Sequence, residues 1–448
     1  MKRIMRDGAI RAIARESWAV SWPTTFIMFY EFLIGLADVY VAGKFGKSAQ
    51  AAYGFSFQLY FIFIIIGIAL SIGTVSVVSR LFTSGKSGEF RVAVSSAILN
   101  SAVCGALFVA AGLMFSGRLV SCVGLPVDMK ELVAPFMKIY CVAFVFDYVL
   151  MTNNGILRAC GMVKKSLWIM SAVCVMNIAL NFTLAFHSPL GLKGIAAATV
   201  ISVSAGALMT VYFTGRLAAV FRFSMKVVRE ILHISWPSCL LQVSIQTGYL
   251  VLFLMLGALP ARNTEIMAAL TNGLKIEAAM FMPAIAFNMG SAVIVGNLIG
   301  RGDARGAFSG GIITAVMGVA IVSVITLSVI FNAGHIASFL SNNPLVAEES
   351  RRYIHVALIA EPFLAWGIIL GGGLNGAGDT RSVMLISFIG IWLIRIPLCY
   401  ILGIHFSLGA VSIWWAMNIS ILAQAALMTR HYLARRWLSR AFAAQARL

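Results

Sequence analysis

The sequence has few charged residues for its length. Of its 448 residues only 11% are Asp, Glu, Lys or Arg, whereas 60% are hydrophobic. A soluble domain carries about 25% charged residues, because its surface faces water. Charge at less than half that level excludes a water-soluble globular protein. It predicts that most of the surface faces lipid.

The motifs of several enzyme and metalloprotein classes are also missing. The seven cysteines show no CxxC spacing, and the six histidines show no metal-ligand spacing. HExxH, GxSxG and P-loop motifs are absent. Residues 371–376 match GxGxxG by letter, but without a preceding strand these glycines fit close helix packing rather than a dinucleotide. We therefore expect no enzyme, no cofactor and no firm metal site.

Long apolar runs take the place of these motifs. Because about 20 apolar residues suffice for a helix to cross a membrane, several runs qualify on their own. Transmembrane β-strands are excluded, since those are short alternating segments. The pattern predicts an all-α polytopic membrane protein with twelve transmembrane helices. Their expected positions are residues 17–42, 54–80, 92–116, 134–157, 166–187, 194–215, 233–259, 267–299, 307–331, 353–375, 382–403 and 408–429.

The formal net charge of +18 is distributed unevenly along these spans. With the N-terminus inside, 23 of the 34 Lys and Arg residues lie in inward segments and 8 in outward loops. This positive-inside bias predicts that both termini lie in the cytoplasm. The basic charge therefore indicates contact with anionic lipid and no nucleic-acid partner. We expect a monomer.

The chain repeats itself at an offset of about 214–218 residues. Six spans separate the copies, so both halves enter the membrane in the same direction. Parallel repeats of this kind are a recurrent transporter design. The repeat predicts two six-helix bundles, residues 1–222 and 223–448. The matching positions include Ser21-Trp22-Pro23 with Ser235-Trp236-Pro237, Gly73 with Gly290, Gly85 with Gly302, Leu157 with Leu374, and His187 with His405.

Several motifs carry a family resemblance. Residues 374–381, with the sequence LNGAGDTR, precede Trp392 and the sequence RIPL at 395–398. This stretch resembles the signature after span 10 of the MATE (multidrug and toxic compound extrusion) transporters. NGILRACG at 154–161 is similar to the N-half counterpart, and KIE at 275–277 and VGNLIG at 295–300 resemble the span 8 pattern. The resemblance covers nearly the whole chain and is closer to the DinF-like branch than to the NorM-like branch.

The resemblance implies a fold and an activity. The fold is two six-helix bundles that form a V, open to one side of the membrane and then to the other. The activity is export of small amphipathic, often cationic, organic compounds in exchange for H⁺ or Na⁺. The substrate itself cannot be derived, because polyspecific pockets are shaped by apolar and aromatic side chains without a readable code.

Two carboxylates lie in span 1. Glu31 and Asp38 are seven residues apart, close to two helical turns, so they share one face about 10 Å apart. Ionisable groups inside a membrane are expensive and are functional candidates by default. Burial disfavours the charged form of a carboxylate, so such a group can bind a proton on one side and release it when its hydration changes. Asp38 also matches the span 1 aspartate that the family uses for cation coupling.

The resemblance extends the site to polar partners in spans 4, 5 and 6. These fall on Asn154, Asn177, Asn181 and Thr199. Relatives with a well-formed cation site often have aspartate at position 181, so one negative charge is missing here. The loss weakens the expectation of Na⁺ at the span 1 aspartate and favours H⁺. Asp147 in span 4 is a candidate to compensate, and interhelical hydrogen bonding is the alternative role of the amides.

The C-half offers weaker candidates. Gln246 stands where NorM-like relatives place a glutamate in span 7. Glu361 precedes Pro362, which interrupts helical hydrogen bonding and can leave backbone groups free to line a cavity. Glu277 is close to Lys275, so an ion pair or a packing role is expected for it.

Together with the resemblance, these observations predict a secondary antiporter of the cytoplasmic membrane of a prokaryote, driven by an ion gradient. A flippase for a lipid-linked precursor is the nearest alternative, because related two-bundle transporters do that work. The basic residues cluster at span ends rather than in a central cationic cavity, which favours drug export. A passive channel and a membrane-embedded enzyme are less favoured, because acids are concentrated in one half and no convergent catalytic set is present.

Overall fold

The computed structural model describes residues 2–122, 127–218, 222–259, 262–341 and 343–447. Within these ranges the chain is helical nearly throughout and forms no β-strand. Twelve helical segments are long and apolar enough to cross a membrane, and each predicted span falls on a different one. The structure confirms the all-α fold with twelve transmembrane helices.

The first half of the chain supplies six long helices. They are α1 (Lys2–Lys44), α2 (Lys47–Phe82), α3 (Ser87–Cys122), α4 (Val127–Ala159), α5 (Val163–Phe186) and α6 (Lys193–Ala218). The short link between α5 and α6 makes them a tight antiparallel pair.

The second half begins with three long helices and then becomes more segmented. The helices are α7 (Met225–Gly257), α8 (Asn263–Gly300), α9 (Ala304–Phe331), α10 (Ala333–Leu340), α11 (Pro344–Ala357), α12 (Glu361–Gly376), α13 (Thr380–Phe388), α14 (Ile396–Cys399), α15 (Ala410–Leu433) and α16 (Arg436–Arg447).

Two spans of the second half are not regular α-helices. A 3₁₀ turn, Leu358–Ala360, joins α11 to α12 just before Pro362. Two π-helical segments, Ile389–Arg395 and Tyr400–His405, flank α14. Proline lacks the backbone N–H that a continuous helix uses, which accounts for the break before α12. Segments of π-helix are rare and occur frequently at functional sites.

The chain divides into two compact units. The N-half unit comprises residues 23–239, and the C-half unit comprises residues 1–22 together with 240–447. The predicted division at residues 222 and 223 follows the sequence repeat, whereas the compact units follow packing. The two differ because the first part of α1 packs with the C-half unit and the first part of α7 with the N-half unit. The change falls at Pro23 in α1 and between Cys239 and Leu240 in α7, shortly after the repeated Pro237.

The same packing pattern recurs in both units. In the N-half unit α4 packs against α2, α3 and α6, and in the C-half unit α12 packs against α8, α9 and α15. The core of the first is rich in aromatic rings, among them Tyr140, Phe144 and Tyr148. The core of the second includes Phe287 and Tyr432. Equivalent helices therefore occupy equivalent places, as the internal repeat predicts.

A repeated glycine permits the close approach of the segments that change units. A Cβ atom on Gly73 would lie 2.2 Å from Ser235 Oγ and 2.5 Å from the Ile231 carbonyl oxygen. A Cβ atom on Gly290 would lie 2.4 Å from Ser21 Oγ. Small residues allow helices to pack closely in lipid, where burial of apolar surface gives little driving force. At Gly73 the close contact includes a backbone atom, which cannot rotate away, whereas the backbone atom nearest to the Gly290 Cβ is 3.9 Å distant.

Replacing Gly73 by alanine is expected to destabilise the protein by about 1–3 kcal/mol, the usual cost of overpacking. Gly290→Ala is expected to cost less, because the Ser21 hydroxyl can turn. Thermal unfolding of the purified chain in detergent measures both. Gly54→Ala on the same helix α2 is the matched control, because nothing lies within 4 Å of its added methyl group. Equal unfolding temperatures for Gly73→Ala and Gly54→Ala would contradict the close contact.

Candidate functional site

Asp38 is buried in the N-half unit with both carboxylate oxygens occupied. Its exposed fraction is 3%. Asn181 Nδ2 on α5 donates to Oδ1 at 2.5 Å, and the Tyr53 hydroxyl on α2 donates to Oδ2 at 3.2 Å. Three helices thus converge on one carboxylate, and both protein contacts are donors. This arrangement suits an ionised carboxylate, which only accepts hydrogen bonds.

The hydrogen bonds continue from Asp38 to helix α6. Asn181 also donates to Asn177 Oδ1 at 3.0 Å, because residues four apart share a helix face. Asn177 Nδ2 in turn donates to Ser202 Oγ at 3.1 Å and approaches Thr199 Oγ1 at 3.5 Å. The structure therefore brings together four of the five predicted coupling residues. We call Asp38, Tyr53, Asn177, Asn181, Thr199 and Ser202 the Asp38 network.

Asn154, the fifth predicted residue, makes a different contact. It is buried on α4, and its Oδ1 accepts from Ser166 Oγ on α5 at 2.7 Å. This bond joins α4 to α5, which is the interhelical role considered as the alternative for the amides. The contacts of the described residues do not join Asn154 to the Asp38 network.

Asp147 is a second buried carboxylate of the N-half unit. Its exposed fraction is 7%, and it accepts a hydrogen bond from the Tyr60 hydroxyl on α2. The Tyr60 ring stacks on Tyr140 with centroids 4.7 Å apart. Tyr140 in turn interacts electrostatically with both Asp38 and Asp147. A stack of two tyrosines therefore lies between Asp147 and the Asp38 network.

Glu31 differs from Asp38 although they lie on one helix. Its side chain is exposed, and it interacts electrostatically with Arg158 at the end of α4. It also interacts with Asp147. Glu31 is thus an accessible acid near the N-half core, whereas Asp38 is enclosed within it.

The C-half candidates also differ in burial. Gln246 is exposed on α7, whereas Glu361 is 1% exposed at the start of α12. Glu277 is buried and accepts from the Tyr353 hydroxyl, while its neighbour Lys275 is exposed. The contact of Glu277 is therefore a tyrosine of α11 rather than the expected lysine.

Sequence reasoning missed the hydroxyl partners of these acids. Tyr53 and Tyr60 are seven residues apart on α2, and Ser202 follows Thr199 by three on α6. A buried tyrosine hydroxyl usually finds a hydrogen-bond partner, so tyrosines on one face of an apolar span are a usable signal. That signal required knowing which face of α2 turns toward α1 and α4.

The Asp38 network can hold one small cation or a proton. It offers one carboxylate, and Asn181 Oδ1 is a buried oxygen without a hydrogen-bond partner among the described residues. Oxygen atoms suit hard cations, but a single carboxylate supplies only one negative charge. Among the described residues no three His, Cys, Asp or Glu side chains gather to hold a metal.

Comparison with known proteins identifies the family. The family model MatE matches the chain twice, over residues 23–183 and 237–401. The two matches are 214 residues apart at their first residue, in agreement with the internal repeat. Together they cover well over half of the chain.

Proteins of similar length resemble the chain throughout. It is 26% identical over 446 residues to a probable multidrug resistance protein NorM of Bradyrhizobium diazoefficiens, covering 94% of each chain. It is 23% identical to a protein of the same name from Thermotoga maritima, covering 98% of this chain and 96% of the relative. A crystal structure of MATE in the bent conformation shares the fold with a TM-score of 0.89 at 17% identity, covering 98% and 99%. The double match of the family model, over helices that fold as two equivalent units, shows that this chain belongs to the MatE family of membrane transporters.

Proposed function

We propose that the chain is a secondary antiporter that exports small amphipathic, often cationic, organic compounds in exchange for H⁺ by alternating access. The observation that supports this most directly is the Asp38 network, a buried carboxylate held by donors from two other helices. The names of the NorM relatives support drug export. We further propose a prokaryotic inner-membrane location with both termini cytoplasmic, from the positive-inside bias, and a monomer in contact with lipid. Assignment to the DinF-like branch stays a prediction.

The amide of Asn181 allows Asp38 to exist in two protonation states. When Asp38 is ionised, Asn181 donates to it through Nδ2. When Asp38 is protonated it becomes a donor, and a rotation of the amide would present Oδ1, which otherwise has no partner. A buried negative charge costs free energy in a medium of low dielectric, and a proton on Asp38 removes that charge. Proton binding and amide rotation are therefore coupled within one hydrogen-bonded pair.

We propose H⁺ rather than Na⁺ because of residue 181. An asparagine leaves the network with one formal negative charge, enough for one proton. Na⁺ would have to exchange its hydration shell for one carboxylate and neutral oxygens. Asp147 is not part of the network, since its hydrogen bond is to the Tyr60 hydroxyl. Glu31 stays a candidate for proton delivery because it is accessible and interacts with Asp147.

The test is transport of a fluorescent cationic dye by the full chain in proteoliposomes. An imposed pH gradient is expected to drive dye accumulation, and a Na⁺ gradient at equal pH is expected to give no more than protein-free liposomes. If only the Na⁺ gradient moves the dye, the chain is still an antiporter, but the proposal that H⁺ is the coupling ion is wrong. If neither gradient moves the dye, drug export is wrong, and flipping of a lipid-linked precursor becomes the function to assay.

A further inference from the structure

The C-half unit has an open groove along one side of helix α12. Its volume is about 910 Å³, within the range of roughly 300–1,000 Å³ that is usual for small-molecule sites. Helix α12 contributes Pro362, Phe363 and Trp366, and helices α9 and α15 contribute Val319 and Leu422. Phe363 and Leu422 are exposed. We call this the α12 groove, and most of its lining is apolar.

The groove lies where α9 and α15 separate along α12. In the N-half unit the equivalent helices α3 and α6 pack against each other as well as against α4. In the C-half unit the described residues of α9 and α15 approach each other closely at few positions. Near the end of α15 the Tyr432 hydroxyl contacts the carbonyl oxygens of Ala307 and Phe308, and Arg435 lies over the Phe308 ring. The helix pair that covers the central helix in one half is therefore open in the other.

The polar groups of the groove leave one charged side chain available. Trp366 Nε1 donates to Thr429 Oγ1 at 2.8 Å, and Thr429 donates to a backbone carbonyl one turn earlier. Arg430 lies in the last turn of α15, lines the groove and is exposed. Its neighbour His431 pairs with Asp379 at 2.8 Å, whereas Arg430 has no ion-pair partner among the described residues. The groove thus joins an apolar surface to a guanidinium group that can bind an anion.

The chain is basic around this end of the groove. No Asp or Glu follows Asp379 in the sequence, and residues 430–440 include four arginines. Helix α16 buries Trp437 and exposes Arg436 and Arg440. A basic amphipathic helix next to a membrane span is typical of contact with anionic lipid headgroups. With the C-terminus in the cytoplasm, as proposed above, these arginines face the cytoplasmic leaflet.

We propose that the α12 groove binds an anionic phospholipid of the cytoplasmic leaflet, with an acyl chain along Phe363 and Leu422 and the headgroup phosphate on Arg430. A guanidinium group can donate two parallel hydrogen bonds to a phosphate. The cationic compounds proposed above as cargo do not suit the groove, because they would meet Arg430. The site goes beyond the proposed antiport and depends on that proposal only for the side of the membrane on which α15 ends.

Retention of lipid by the purified full chain, measured by native mass spectrometry, tests the headgroup contact. Phosphatidylglycerol and phosphatidylcholine with identical acyl chains are offered together, so that only the headgroup differs. We expect the wild type to retain phosphatidylglycerol preferentially. Arg430→Gln is expected to lower that preference about fivefold, the effect of one basic residue near an anionic surface. Arg436→Gln is the matched control and should lower it less, because Arg436 is exposed but does not line the groove.

A second pair of variants tests the groove itself. Ala426 lines the groove and is exposed, so Ala426→Phe places a ring where the acyl chain would lie. This variant is expected to retain less of both phospholipids than Ala320→Phe, whose residue is exposed on α9 outside the groove. Equal loss of preference in Arg430→Gln and Arg436→Gln would overturn the proposal, as would undiminished retention by Ala426→Phe. Displacement of the lipid by the cationic dye would also overturn it, since the groove would then hold the transported compound.

Photolabelling of the wild type covers the case in which a variant fails to fold. Phosphatidylglycerol with a photoactivatable acyl chain is expected to label peptides that contain Phe363 and Leu422. Excess unlabelled phosphatidylglycerol should reduce this labelling more than excess phosphatidylcholine does. Equal competition by the two lipids would mean ordinary contact with the bilayer and no anionic-lipid site. These readouts do not involve dye transport, so their failure is distinguishable from failure of the proposed antiport.

Discussion

Replacing Asp38 by asparagine is expected to reduce pH-gradient-driven dye transport to the level of protein-free liposomes. Asparagine has nearly the same shape, and its Oδ1 can still accept from Asn181, so the helices should pack as before. It cannot bind or release a proton, however, and the gradient then has no group to act on at this site. Initial rates in proteoliposomes, at equal protein per vesicle, measure the loss.

Two controls distinguish loss of ion coupling from loss of structure. Glu89→Gln removes an exposed acid at the start of α3, whose ion pair among the described residues is with Lys86, and its transport is expected to equal that of the wild type. The Asp38→Asn chain is also expected to unfold within a few degrees of the wild-type temperature. If Asp38→Asn transports the dye at the wild-type rate, Asp38 is not the residue that couples transport to the pH gradient. Glu31, Asp147 and Glu361 would then be the residues to replace next.

Hydropathy and charge were sufficient to predict the helices of this protein. Spans are apolar over their whole length, so their number and approximate bounds can be read from composition alone. The repeat could be predicted because turns and close contacts need particular residues at particular places, such as Gly73 and Gly290. The sequence did not predict that the start of α1 belongs to the C-half unit and the start of α7 to the N-half unit. It depends on which neighbours the start of α1 and the start of α7 pack against, and no local pattern records that.

The candidate site was predicted in part. Asp38, Asn177, Asn181 and Thr199 meet in the structure, as the family resemblance implies. Asn154 lies on a predicted helix but bonds to Ser166, because the rotation of α4 about its axis turns it toward α5. In an apolar span hydropathy does not fix that rotation, since most faces are equally apolar.

Glu277 in the second half shows the same limit. Glu277 and Lys275 are neighbours in sequence, yet a helix places residues two apart on different faces. Glu277 consequently turns inward to Tyr353 while Lys275 is exposed.

The second large effect is expected from restoring an acid at position 181. Asn181→Asp would place a second carboxylate beside Asp38, where the amide nitrogen lies 2.5 Å from Oδ1 in the wild type. Two like charges about 4 Å apart repel by about 4 kcal/mol at an effective dielectric of 20, so the pair needs a cation. With two carboxylates the network can bind Na⁺ as well as H⁺. We therefore expect Na⁺ to stabilise this variant and a Na⁺ gradient to drive its dye transport.

Thermal unfolding in NaCl and in equimolar KCl measures that change of ion. At a Na⁺ concentration ten times the dissociation constant, binding would stabilise the folded variant by about 1.4 kcal/mol. The wild type is expected to unfold at the same temperature in both salts. Asn177→Asp is the matched control, since it adds the same charge to the network one hydrogen bond further from Asp38 and should respond less. A wild-type chain stabilised by Na⁺ as strongly as Asn181→Asp would show that one carboxylate suffices for the metal ion. The argument from residue 181 for proton coupling would then fail, because the missing charge would no longer distinguish the two ions.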